Sequence, residues 1–402
     1  MIPVKLNQKS FSFVRSLFVE FYRQYYSPDV PSKMERREFG FNMFEGFMLR
    51  HKGFSSPEEL KSFLETSTPM DAYYSCAYYE DPEAEMDRKG WIGADLIFDV
   101  DADHIPTGCD KVHDEWVCEK CGFAGKGITP EKCPICGGEK FSVTTWPCEI
   151  CLESARAETI KLLDILMNDF GFSAGEIQVF FSGHRGYHVQ IEDEVVLDLD
   201  ANARKEIVDY ITGLGFDLTT QKVTLQVPHG WRSRSVRGVL EFIRNASEDD
   251  LIEVGLRRNT VKVIMQNKEI LIKNWASGTL HGVRGIGPET MKKLMEQGVK
   301  MESAKIDTVV TTDIHRLIRL PETLHSKTGF RKTRFPVGEI EDFDPFRKAI
   351  AFNKGTVRLH VYEAPKFRLG NEVFGPYKNQ KVELPTSAAL LLICKNKAEV
   401  LG

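Results

Sequence analysis

The chain has 402 residues, 53 Lys and Arg against 58 Asp and Glu, and 42% apolar content. This predicts a globular protein of two or three packing units, at the usual ~100–200 residues per domain. A net charge of −5 excludes a blanket basic coat for nucleic acid, so any polyanion site must be a local patch. No stretch approaches the ~18 uninterrupted apolar residues of a membrane span. Met1-Ile2-Pro3-Val4-Lys5 lacks a signal-peptide pattern, which predicts a cytosolic chain without a membrane partner.

Residues 1–65 read as helical. Phe11, Val14, Phe18 and Phe21 recur at helical spacing, and Phe39, Phe41, Phe44 and Phe47 form a second aromatic stretch, with a break at Tyr26-Ser27-Pro28. The charged run Met34 to Glu38 is either a solvated helix face or part of a site. Asp95 to Asp103 is a buried strand whose end carries carboxylates. Cys109 to Cys151 is a metal-ligand segment, and Ala155 to Phe170 an amphipathic helix stopped by Gly171. Gln178 to Phe181 is a short strand running into the turn Ser182-Gly183-His184-Arg185-Gly186-Tyr187, after which His188 to Ile191 alternates. Helices are expected near 203–214 and 286–298. The second follows a glycine run, Gly282 to Pro288, with a faint likeness to a helix-hairpin-helix turn; a plain turn before a Pro-started helix explains it more simply. Ile306 to Thr311 reads as a strand and Asp313 to Leu320 as a short helix stopped by Pro321. The C-terminal 70 residues offer little chemistry.

Three constellations carry chemistry. In a strand, residues i and i+2 leave on one face, so Asp99 and Asp101 project side by side. Two ionised carboxylates that close need a cation, and Mg²⁺ or Mn²⁺ favours oxygen ligands; two such ions ~3.5–4 Å apart serve phosphoryl and nucleotidyl transfer. Asp307 and Asp313 are candidates for a third carboxylate. Asp313, at a helix mouth, is explained by capping, so Asp307 is preferred. The turn at Ser182 to His188 has the composition of a triphosphate cradle, and Arg319, His325, Lys327, Arg331 and Lys332 repeat that chemistry in a second loop.

The nine cysteines include seven between Cys109 and Cys151, an arrangement for metal rather than disulfides. Cys118-x₂-Cys121-x₁₁-Cys133-x₂-Cys136 is a zinc-ribbon signature. Cys148 and Cys151 need two more ligands, which Cys109 and His113 supply for a second zinc. Four protein ligands leave no open position, so both zincs are expected to be structural.

Taken together, Phe98-Asp99-Val100-Asp101, Cys148-x₂-Cys151 before a helix, Ser182-Gly183-His184-Arg185-Gly186-Tyr187-His188, Leu317-Ile318-Arg319-Leu320-Pro321 and Leu324-His325-Ser326-Lys327-Thr328-Gly329 resemble the catalytic small subunit of archaeal and eukaryotic-type DNA primases, the archaeal branch most closely. The resemblance implies an α/β fold of mixed α+β primase type. It would have a catalytic domain with a mixed sheet (1–201 and 299–402), a zinc motif within it (104–152, the ribbon inserted) and a mostly helical subdomain (202–298). It implies metal-binding roles for Asp99, Asp101 and Asp307, and contacts from Ser182, Arg185, His188, Arg319, His325 and Lys327 to the nucleotide's phosphates and sugar. The implied activity is nucleotidyl transfer by a DNA-directed RNA polymerase, making short RNA primers, and also DNA ones, from nucleoside triphosphates on single-stranded DNA. The implied partner is a primase large subunit. Two rival readings are a primase-like repair polymerase that extends existing ends and a non-catalytic zinc-ribbon nucleic-acid binder. Arg36, Arg37 and Glu38 match a recurring early motif without an assignable task.

Overall fold

The computed structural model describes residues 7–216, 229–277 and 284–401. The opening pentapeptide and the start of the glycine run, Gly282-Val283, lie outside the described residues. The chain divides into two compact units. One holds the residues up to Ala157, Ala174–Arg204 and those from Ile306 onward; the other holds Glu158–Ser173 and Lys205–Lys305.

The larger unit is built on eight strands: β1 (Phe39–Asn42), β2 (Met48–Lys52), β3 (Asp71–Ser75), β4 (Leu96–Asp101), β5 (Ile177–Phe181), β6 (Gly186–Ile191), β7 (Leu317–Arg319) and β8 (Thr333–Phe335). They form two four-stranded sheets, β7-β3-β1-β2 and β8-β5-β6-β4. Every pairing in both is antiparallel, so the mixture in this fold is of helix with sheet, not of parallel with antiparallel strands. The aromatic stretch expected to be helical is instead β1 and its hairpin partner. Phe39 and Phe41, two apart, bury the same face against Phe54 and Phe63, with the Phe41 and Phe63 rings 4.6 Å apart. Period two won over the looser recurrence at three.

Ahead of the sheets, the helix Gln8–Glu20 starts on an Asn7 cap and ends before Pro28, as its sequence predicts. Arg37 and Glu38 are wholly buried rather than on a solvated face. The Arg37 guanidinium pairs with Asp95 at 2.7 Å, donates to the Ser32 and Ser75 carbonyls, and lies 4.1 Å over the Tyr78 ring. Glu38 accepts from the Arg50 Nε at 2.9 Å and faces Lys89 Nζ at 3.4 Å. The early motif thus cross-ties β1, β3 and the start of β4, since a buried charge must be paired to persist.

Three further helices matter for the site: α1 (Glu149–Asn168), α2 (Thr308–Thr312) and α3 (Thr386–Cys394). α1 begins six residues before the expected Ala155. α3 is buried from Ala388 to Cys394, as a run of apolar residues all round a helix must be. Beside it a sheet of Tyr377–Pro385, Thr356–Ala364 and Ala398–Val400 closes the unit.

The smaller unit is helical, with a core that includes Val239, Ile243, Ile264, Leu271, Trp275 and Leu294. Its two longest helices, Trp231–Asn245 and Pro288–Glu302, meet backbone to backbone at Gly238 and Gly298, where any Cβ would strike the facing carbonyl. Arg234 is clamped between Asp164 and Asp169. Among the described residues no helix is long and apolar enough to cross a membrane.

Candidate active site and metal clusters

β4 ends at an acidic edge. Its register with β6 sets Asp99 opposite His188 and Asp101 opposite Gly186. Gly186 is required there, because a Cβ would run into the Val100 carbonyl. His188 Nε2 lies 3.6 Å from Asp99 Oδ1, and Asp101 Oδ1 accepts from the Asp103 N–H. Asp307 reaches the same edge: its N–H donates to the Asp99 carbonyl at 2.8 Å. Burial, followed by the nearby Asp101 and Asp307 carboxylates, pushes the Asp99 carboxyl up to about 8. Burial raises Asp101 as well, against the pull of Arg185. Such a group of acids is short of positive charge. Among the described residues only the two cysteine-rich groups bring three or more possible ligand atoms within 4.8 Å of one another, so the aspartates face each other more loosely than the thiols do.

The local structure around Asp307 reverses the sequence expectation. Residues 308–312 are the helix α2 rather than a strand, and 317–319 are the strand β7 rather than a helix. Asp307 is the N-cap, its Oδ1 accepting from the Val309 N–H at 3.0 Å. The run Val309-Val310-Thr311-Thr312 is β-branched and reads as a strand, but the cap and packing on β4 override that propensity. Capping therefore does not distinguish Asp307 from Asp313; the hydrogen bond to Asp99 does. Asp313 instead accepts from the His315 N–H.

Facing the acids is a basic wall made by two interlocked turns. Ser182 Oγ accepts from the His184 and Gly186 N–H groups and so holds the first turn closed. Gly183, at φ +87°, lets that turn pass the second loop, and the Thr328 hydroxyl donates to the Gly183 carbonyl at 2.6 Å. His325 Nδ1 accepts from the Lys327 N–H, which leaves Nε2 as the ring's donor when neutral. Burial and neighbouring cations depress both His188 and His325 below the ordinary imidazole range. Lys327 is exposed beside them.

Two arginines of the sequence-derived set are engaged inside the protein. Arg185 is 1% exposed, with Nη1 at 2.7 and 2.9 Å from the two Asp114 oxygens and its other arm on Asp103. Arg319 Nη1 lies 2.6 Å from Asp71, whose carboxylate also accepts from Ser326 N–H and Oγ. Lys332 donates to the Arg319 carbonyl and sits 4.3 Å over the Phe180 ring; burial and Arg319 push it down to about 7. Sequence reasoning missed Asp71, Asp103 and Asp114, and with them Thr145 and Lys395. Asp114 alone carried a signal, its position next to a histidine ligand.

Cys109, His113, Cys148 and Cys151 converge, as do Cys118, Cys121, Cys133 and Cys136. In the first group His113 Nε2 lies 3.4 and 3.5 Å from the Cys109 and Cys151 sulfurs, while its Nδ1 bonds Asp114 at 2.8 Å. In the second, Cys118 and Cys136 sulfurs are 3.6 Å apart, and so are those of Cys121 and Cys133. A tetrahedral zinc with bonds of ~2.3 Å needs sulfurs ~3.8 Å apart, and the free His113 Nδ1–H already has its carboxylate acceptor. Both groups fit zinc.

Residues 145–337 match the family model described as DNA primase small subunit. The chain is 32% identical to the DNA primase small subunit of Methanothrix thermoacetophila, over 98% of this chain and all of that protein. The chain belongs to the DNA primase small-subunit family. The primase small subunits of Nitrosopumilus maritimus (30%, 98% of this chain and all of that one) and Archaeoglobus fulgidus (31%, 96% and 97%) are similar at comparable distance. The matched primase segment holds the Ser182 turn, Asp307 and the His325 loop, whereas β4, the ribbon and α3 lie outside it.

Proposed function

We propose that this primase small subunit synthesises short RNA primers on single-stranded DNA from nucleoside triphosphates, by nucleotidyl transfer, in the cytosol and together with a primase large subunit. The observation that supports the reading is the backbone hydrogen bond from the Asp307 N–H to the Asp99 carbonyl, which brings a third acidic residue next to the acidic edge of β4.

Asp99, Asp101 and Asp307 would hold Mg²⁺ or Mn²⁺; the all-oxygen donor set and the raised Asp99 carboxyl suit a small divalent cation. Bound there, such an ion would supply the charge that makes a primer 3′-hydroxyl more acidic and offsets charge on a pyrophosphate leaving group. His188 steadies Asp99 from the neighbouring strand. His325 Nε2 and Lys327 are placed to bind phosphate oxygens, and fixed donors of this kind act without reorganising when charge develops. Ser182 shapes the turn. Arg185 and Arg319 contribute through the ion pairs that hold the basic wall. The two zincs would be structural.

Asp101→Asn tests this. The variant is expected to lose primer synthesis by about 10³-fold or more, with unchanged melting temperature and two equivalents of zinc. Synthesis near the native rate would refute the assignment. Extension of a pre-annealed primer without de novo initiation by the native protein would favour the repair-polymerase reading.

A further inference from the structure

Lys395 follows the last turn of α3 and is 3% exposed. Among the described residues its ammonium finds one partner, His184 Nε2 at 2.8 Å. Thr145 Oγ1 also lies 3.1 Å from that nitrogen. An ammonium only donates, so with Lys395 charged Nε2 is the acceptor and His184 is neutral, with its proton on Nδ1. Of three ammonium N–H groups, two are left without an acceptor in a place water scarcely reaches. The other buried cations nearby differ. Arg185 has Asp114, Arg319 has Asp71, and Lys332 has a carbonyl and a ring face. Lys395 has no carboxylate within hydrogen-bond reach; burial first, then the charges of Lys327 and Arg185, hold its amine well below the usual lysine range, against a weaker pull from Asp114. The carbonyl end of α3 favours a cation in general but makes no bond to this one.

A buried amine without an anion is driven toward its neutral form, and an arriving anion restores its charge by pairing with it. We propose that Lys395, oriented by His184 and Thr145, is a ligand for a polyphosphate anion and binds the triphosphate of the incoming nucleotide beside His325 and Lys327. This rests on the nucleotidyl-transfer reading. It gives the C-terminal segment, outside the matched family region, a direct part in the site.

The test uses the full-length, zinc-loaded protein with Lys395→Met, and Lys395→Gln as a second variant should the first not fold. Inorganic tripolyphosphate, ATP and a short oligothymidylate are titrated separately, with melting temperature and KM against kcat as readouts. Loss of one charged hydrogen-bonding group predicts about tenfold or weaker binding of tripolyphosphate and ATP, KM raised by a similar factor and kcat within about threefold. The ligand-free variant is expected to melt at or above the native temperature, because repulsion has been removed. Oligothymidylate binding is expected to be unchanged. A tripolyphosphate affinity within about twofold of native overturns the proposal, as does a lowered melting temperature with unaltered KM. Weakened oligothymidylate binding alone overturns it too, moving Lys395 to the nucleic-acid backbone. Should the native protein itself ignore tripolyphosphate and ATP, the nucleotide reading falls along with it.

Discussion

The two cysteine clusters offer metal the same number of ligands and live in opposite surroundings. The ribbon of Cys118, Cys121, Cys133 and Cys136 carries its own small core. Trp116 packs on Phe123 and Phe141, and Gly125 leaves the gap its ring fills, since a Cβ there would collide with the indole. Cys121 is exposed, as is Ile135 at 68%. The salt bridges from the ribbon strands to the C-terminal segment are Lys126–Glu363 and Lys397–Glu115. The cluster of Cys109, His113, Cys148 and Cys151 is wired inward instead. His113 bonds Asp114, Asp114 also accepts from the Trp146 N–H, and Arg185 then joins Asp114 to Asp103, two residues beyond Asp101. What separates the two clusters is the next layer of contacts, not the ligands.

Asp114→Ala breaks the comparison at its strongest point. It strands the buried Arg185 charge and frees the His113 ring, so a loss of about 3–5 kcal/mol is expected from chemical denaturation. Zinc retention against a chelator should drop roughly 10–100-fold for one of two equivalents. A variant with native stability would show that the relay carries nothing. Next in size, Cys151→Ser should cost one zinc and at least about tenfold in primer synthesis, because α1 and the Arg185 turn lose their anchor. Cys133→Ser should also cost one zinc, yet leave synthesis on a short template within about threefold. Equal losses in the two would erase the distinction between the clusters. Smallest is Lys126→Ala, which removes the exposed ion pair with Glu363 and a longer one with Glu115; melting should reveal less than about 1 kcal/mol.

Much of the site could be read from the residues because its elements announce themselves locally. The alternation at Asp99 and Asp101, the paired cysteines and the glycine-punctuated turn each depend on neighbours in sequence, and the structure has all three as strand, clusters and turn. What escaped depends on distant partners. β1 and β2 were hidden because aromatic side chains at mixed spacing fit a helix or a strand until Phe54 and Phe63 select one face. α2 was hidden because its β-branched residues suggest a strand. Arg319 looks from its sequence like a phosphate ligand, and only Asp71, 248 positions away, shows it to be already paired. Lys395 gave no sign at all, since a lone lysine after an apolar run is ordinary until Ala388 to Cys394 before it prove buried.

The register of β4 against β6 also governs how this gene can vary. Side chains alternate strictly along the strand, so one residue inserted or deleted between Leu96 and Asp101 would swing the acids into the core and turn Phe98 and Val100 outward. A change of two residues keeps the faces. Across that short stretch, tolerance of length variation should follow parity: odd steps extinguish the enzyme, while even ones leave its acids on the correct side.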